Sequence, residues 1–175
     1  MPAPWNCLQL KTEEALKSVI DTDTTLTQRG DASVYTALST GTLALPAVVV
    51  EAGSGDEHPW SSGNFNVDCE VKVFSSADPK VPATLAAHRS RTGYVMDAVM
   101  NGTLADDLTS AVSDFTCFGV VSRSLLPEAR DDRHMISGMR LRLYCAPSNL
   151  VDGDLLTTQA GVHFATQAGE HFAVL

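Results

Sequence analysis

No run of apolar residues in this 175-residue chain approaches the roughly 18 that a membrane span requires. The opening stretch MPAPWNCLQLKTEE lacks a basic region leading into an apolar one, so neither secretion nor membrane insertion is expected. Cysteine is sparse and scattered: Cys7, Cys69, Cys117 and Cys145 form no CxxC and no Cys–His cluster. Three of them fall in strand-like apolar patterns, where a thiol behaves as a small buried hydrophobe rather than as half of a disulfide or a metal ligand. Reduced thiols suit synthesis in a cytoplasm. Cations are few as well, 12 Lys and Arg against 21 Asp and Glu, and the net charge of −9 argues against a dedicated nucleic-acid binder.

Catalytic signatures are also missing. There is no HExxH, GxSxG or P-loop, and the glycines of EAGSGDEH lack the strand-to-helix sequel that phosphate cradling needs. The pairs Asp106-Asp107 and Asp131-Asp132 fall short of a calcium loop's ligand count. His58, in DEHPW, has acidic and aromatic neighbours but no nucleophile beside it. Pro59-Trp60 reads as a packing anchor, which assigns His58 and Trp60 to structure or to a subunit interface. His88 lies mid-helix beside Arg89 and Arg91 and reads as part of a solvated face; His134, in a charged turn, suits an interface ion pair. The expectation is a protein that is not an enzyme and holds neither metal nor cofactor.

What the chain does have is clear patterning. KTEEALKSVIDTD reads as an amphipathic helix with Thr12 as N-cap, Glu13 and Glu14 at the positive end of the dipole, and Leu16, Val19 and Ile20 as its apolar stripe. DASVYTALSTG reads as one or two helical turns capped by Asp31. LPAVVVEAG reads as a buried strand, and EAGSGDEHPWSSGN as a long turn-rich loop. In NFNVDCEVKVF the residues Phe65, Val67, Cys69, Val71 and Val73 alternate with polar ones, the signature of a strand with one dry face.

A long helix is expected from Pro82, with Leu85, Arg89, Thr92, Met96 and Val99 or Met100 on one side. A shorter one follows through Leu104, Leu108 and Val112. FTCFGVVSRSL, apolar on both faces, reads as a central strand, and PEARDDRH as a charged turn. ISGMRLRLYCAP sets Met139, Leu141, Leu143 and Cys145 opposite Arg140, Arg142 and Tyr144. The sum is an α+β fold, an antiparallel-rich sheet flanked by helices. The domain is expected over 1–149, with 150–175 as an extended C-terminal arm.

The order of elements through DTDTTLTQRGDASVY, LPAVVVEAG, GNFNVDCEVKVFSSAD and AAHRSRTGYVMDAV resembles the tail terminator, or tail completion, proteins of long-tailed bacteriophages. The resemblance spans roughly residues 12–147. It implies a ring, generally a hexamer, at the head-proximal end of the tail, placed in the virion neck after synthesis in the host cytoplasm. Its implied partners are other copies of itself, the tail tube protein, and a head-side connector or stopper. DNA would pass through the lumen without specific binding, past acidic walls drawn from Asp56-Glu57, Asp106-Asp107 or Asp131-Asp132. The resemblance carries no catalytic residues. Head-closure stoppers and tube proteins are the neighbouring alternatives. From another class, the alternative is a small cytosolic enzyme or ligand-binding domain.

The last residues, TQAGVHFATQAGEHFAVL, repeat Thr158 to Ala165 almost letter for letter as Thr166 to Ala173. An eight-residue period keeps register in a strand, whereas a helix drifts about 80° per repeat. Extended, the segment puts Val162, Phe164, Phe172 and Val174 on one face. It reads as an arm gripping a neighbouring subunit, against a frayed terminus or a last strand of its own domain.

Overall fold

A computed structural model describes residues 7–23, 32–37, 43–60, 63–77, 82–131, 133–147, 156–157 and 163–164. The fold is α+β. Among the described residues five strands form one mixed sheet in the order β1-β2-β3-β5-β4, and three helices pack on one of its faces. The strands are β1 (Ser33–Thr36), β2 (Ala47–Glu57), β3 (Phe65–Ser76), β4 (Thr116–Arg130) and β5 (His134–Ala146). The helices are α1 (Cys7–Thr22), α2 (Pro82–Met100) and α3 (Leu104–Ala111). All pairings are antiparallel except β1 with β2.

The centre of the sheet follows from alternation. In β3 the residues Val67, Cys69, Val71 and Val73 are buried; in β5 so are Met139, Leu141, Leu143 and Cys145. The register sets Val67 opposite Leu143, Cys69 opposite Leu141 and Val71 opposite Met139, so both dry faces look the same way. Val48 and Val50 of β2 extend this layer, and Leu16 and Ile20 of α1, Val95 and Val99 of α2, and Leu104 and Leu108 of α3 close it. Val71 lies at its middle with no exposed surface. Val71→Ala is expected to cost about 1–3 kcal/mol in a denaturant melt, from lost transfer energy plus the cavity left behind; a change within error would remove β3 from the core.

Several elements differ from the sequence expectations. Helix α1 begins at Cys7, so Thr12 is not its N-cap. Thr12 is buried one turn in, and its hydroxyl donates to the Leu8 carbonyl at 2.8 Å. Within the segment read as helical turns after Asp31, Ser33–Thr36 form the edge strand β1, and residues 38–41 lie outside the described residues. Ser-Val-Tyr-Thr is β-branched and aromatic, and Val34 is buried beside Val48.

The glycine-rich stretch after Val50 is strand rather than loop. β2 runs on to Glu57 through a register shift between Ala52 and Gly55, where a Cβ on Gly55 would come within 3.2 Å of the Asn66 carbonyl. Helix α1 clasps this irregularity: Glu13 accepts the Ala52 N–H at 2.9 Å, and the Gln9 amide donates to the Gly53 carbonyl at 2.6 Å. Of the described residues, only 58–60 and 63–64 lie between β2 and β3.

The strand expected at the centre, β4, lies at an edge. It also continues through what reads as a charged turn, ending at Arg130. Pro127 falls within a register shift between Leu126 and Ala129, where a missing N–H is tolerated. Finally, the buried face of α2 is His88, Thr92, Val95 and Val99; Arg89 and Met100 face outward.

Candidate assembly surface

The sheet face opposite the helices carries the polar halves of the alternating strands. On it Lys72 donates to Glu51 at 2.9 Å and pairs with Glu70 at 2.8 Å. Arg140 grips Glu70 from the next strand, its Nε at 3.0 Å. Arg142 reaches Asp56 at 3.0 Å and lies 3.9 Å from Asp68. These three bases and four acids run in alternating sign across three adjacent strands, so each charge on β3 has an opposite one beside it. Hydrogen bonds from Lys72 and then Arg140 hold the Glu70 carboxyl below the usual carboxylate range, and the bond to Glu70 in turn raises Lys72. The face is wet, ordered and internally paired.

Aromatic groups gather at one end of the same face. Tyr144 of β5 lies 4.6 Å from His58 and 5.1 Å from Phe118 between ring centroids. Asn64 donates to the Tyr144 hydroxyl at 2.8 Å, and the Trp60 N–H reaches His58 Nδ1 at 3.4 Å. Trp60 itself is 88% exposed. The expected interface pair His58 and Trp60 is thus brought together with Tyr144 and Phe118, which the sequence reading left out. Tyr144 reads as one member of a polar face, and only the turn after β2 shows what stacks on it.

Strand β4 adds an exposed edge. Phe118 (46%), Val121 (56%) and Leu125 (69%) stand in solvent along its fifteen residues. Three register shifts twist it against β5. At its far end Arg89 of α2 holds Glu128 by two bonds, at 3.1 and 3.2 Å.

The acidic pairs separate into different roles. Asp56 is taken by Arg142, and Glu57 accepts the Gly63 N–H at 3.0 Å. Asp131 closes the β4–β5 turn by accepting the backbone N–H groups of Arg133 and His134, which lowers its pKa; Asp132 lies outside the described residues. His134 Nδ1 lies 3.4 Å from that same Asp131, a contact within the chain and not across an interface. Asp107 accepts the Thr103 hydroxyl, and Asp106 and Asp107 both occupy the first turn of α3, where the dipole favours them.

His88 is not solvated. It is fully buried between Ser75 of β3 and Ser137 of β5, each hydroxyl 2.9 Å from one ring nitrogen. Counting protons fixes the donors. Thr92 spends its hydroxyl proton on the His88 carbonyl at 2.9 Å, so at 2.6 Å it must accept from Ser137. Ser137 then accepts from Nε2–H, and Nδ1 accepts from Ser75, which itself accepts from Arg91 at 2.8 Å. The chain of bonds runs one way and requires neutral imidazole. Burial above all, with Arg91 and Arg89 adding to it against Glu128, lowers the His88 pKa. This is a structural tie between helix and sheet; a lone histidine followed by two arginines gives little sign of it in sequence.

Of the arm, the described part is a short antiparallel pair, β6 (Leu156–Thr157) with β7 (His163–Phe164), Leu156 opposite Phe164. His163 and Phe164 of the first repeat thus pair with the two residues just before that repeat. The expected anchors Val162, Phe172 and Val174 lie outside the described residues, and for Phe164 only the backbone is described.

These surfaces belong to an α+β domain whose distinctive features are one open sheet face and one long exposed edge. In comparisons with known proteins, no family model and no curated protein matches the chain. Among solved structures the chain is similar to a chain in the virion of a native gene transfer agent particle, at 17% identity and a TM-score of 0.43, covering 81% of this chain and 99% of that one.

Proposed function

We propose that the chain is a structural virion protein of a long-tailed phage, a ring-forming tail terminator at the head–tail joint. The observation that carries this reading is β4. An edge strand of fifteen residues that exposes Phe118, Val121 and Leu125 is a liability in a free monomer, and a neighbouring subunit relieves it. Trp60, 88% exposed beside the His58–Tyr144–Phe118 cluster, provides a second apolar contact of the kind that anchors interfaces. The element order that resembles tail terminators supports the choice of ring. The net charge of −9 suits a conduit that must not adsorb DNA. The partners on this reading are further copies of the chain, the tail tube and a head-side connector.

In this assembly the C-terminal arm docks on another subunit through Phe164 and Phe172, each contributing about 1.5–3 kcal/mol on burial. Phe164 lies in β7, paired with β6, and Phe172 follows eight residues further along the chain. Size-exclusion chromatography with mass detection tests both statements. The full chain is expected to form a discrete, concentration-dependent oligomer, and deletion of 155–175 to leave a folded domain that assembles at least tenfold less tightly. A full chain that stays monomeric at every concentration refutes the ring. Normal assembly of the truncated chain, or its failure to fold, refutes the arm.

A further inference from the structure

Three free thiols are buried in the sheet: Cys69 of β3, Cys117 of β4 and Cys145 of β5. Two of them face each other. The register sets Cys117 directly opposite Cys145 in the antiparallel pair of β4 with β5. Residues so opposed either exchange both backbone hydrogen bonds or exchange none. The Cys117 N–H donates to the Thr109 hydroxyl of α3 at 2.9 Å, and the Cys117 carbonyl lies 3.2 Å from the same oxygen. Both groups turn to α3 instead of β5, which makes this a pair of the second kind. Its Cα atoms then stand about 4.5 Å apart, inside the range of roughly 4.4–6.8 Å that a disulfide spans. Cys69 is placed differently: its opposite residue is Leu141, four residues along β5 from Cys145. That is about 13 Å of strand, too far for a bridge.

The two sulfurs are not equivalent. The Cys145 thiol donates a hydrogen bond to the Cys117 sulfur; this holds Cys117 below the ordinary thiol range and, with burial, pushes Cys145 up. Cys117 is thus the readier nucleophile, and Cys145 keeps its proton. Access falls to the same residue. Cys117 is the second residue of an edge strand, retains 5% exposure, and is followed at once by the first register shift of β4.

We propose that Cys117 and Cys145 are an oxidation site, which a peroxide closes into a cross-strand disulfide that fastens the edge strand β4 to β5. The Cys117 thiolate attacks one oxygen of hydrogen peroxide and the O–O bond breaks. The departing hydroxide takes up the first thiol's proton as water, and Cys117 is left as a sulfenic acid. The Cys145 sulfur then attacks Cys117 and the S–O bond breaks, its own proton leaving with the hydroxyl as a second water. Two thiols and one peroxide yield one disulfide and two waters. The closed loop, 117–145, takes in nearly the whole β4–β5 hairpin. In a virion, made in a reducing cytoplasm and later released from it, the bridge closes only after assembly. That timing rests on the virion reading above; the bridge does not.

Hydrogen peroxide treatment of the purified full chain tests it. After the oxidant is quenched, remaining thiols are alkylated in denaturant and the digest is read by mass without reduction. The expected product is lighter by two hydrogens, with Cys117 and Cys145 in one linked pair of peptides and Cys69 alkylated. In Cys145→Ser no bridge can form, and dimedone should instead trap the sulfenic acid on Cys117. The bridged chain is expected to melt about 5 °C or more above the reduced one, and dithiothreitol should reverse the rise. Thiols that stay reduced in the folded chain, a bridge through Cys7 or Cys69 or between copies, or a bridge without a rise in Tm would each overturn the proposal. The unaltered chain decides the matter by itself if the serine variant fails to fold.

Discussion

Gly138→Ala is expected to cost about 3 kcal/mol or more, the upper end of what overpacking does, and to abolish the folded state in a marginally stable background. Gly138 is buried in β5, opposite Lys72 of β3 and beside Leu126 of β4. A Cβ at this position would run into the Val71 carbonyl oxygen and lie 3.0 Å from the Lys72 Cα. Both obstacles are backbone, so no side-chain rotation makes room. The strand must shift, and with it the ladder that joins β3 to β5. A urea melt of the variant checks this; a loss under 1 kcal/mol would mean that the two central strands are not so closely apposed. Gly93, with nothing within 4 Å of its Cβ position, is the matched control for which glycine's absence of a side chain is immaterial.

His88→Ala is expected to lose about 3 kcal/mol. The substitution opens a cavity and leaves Ser75 and Ser137 without their shared partner, a penalty of about 1–3 kcal/mol for stranded buried groups before the cavity is counted. The same residue sets a pH dependence. Its folded pKa lies below the ordinary 6.5, so the unfolded chain binds the proton more readily. The contribution is therefore fully present above about pH 6.5 and is lost as pH falls through the folded value. Thermal melts should show a fall in Tm between pH 7.5 and pH 5 that shrinks in the alanine variant. An equal fall in both proteins would remove His88 as its source.

The central strands were legible because their two faces differ in polarity: a residue such as Val71 has only one place to go when Glu70 and Lys72 flank it. Helix α1 was legible for the same reason, though its first turn was not. Thr12 has the chemistry of a cap, and nothing local shows that a helix already begins at Cys7. Edges were harder. β4 is apolar in its first half and charged in its second, which reads as a core strand followed by a turn; it is one edge strand whose second half is guarded by charge. Along α2 a stripe through Leu85, Arg89, Thr92 and Met96 competes with one through His88, Thr92, Val95 and Val99. The second is the buried one, because two serines on different strands make room for a histidine. The aromatic cluster was half legible: His58 and Trp60 stand close in sequence, whereas Tyr144 and Phe118 join them only through the sheet.

The pairing of β3 with β5 has a consequence for how the chain comes to be folded. Glu70 and Arg140 touch across the middle of the sheet although seventy residues separate them. β2 with β3 and β4 with β5, by contrast, are neighbours in sequence. The two hairpins can zip locally on short loops, but the core does not exist until they meet, with both α2 and α3 looped out between them. Docking of the hairpins is then the slow step, as it is wherever distant segments must close a long loop before any contact repays it. During synthesis no core can be completed until β5 has left the ribosome, so the first hairpin waits, half its valine face uncovered, for a partner encoded near the far end of the domain.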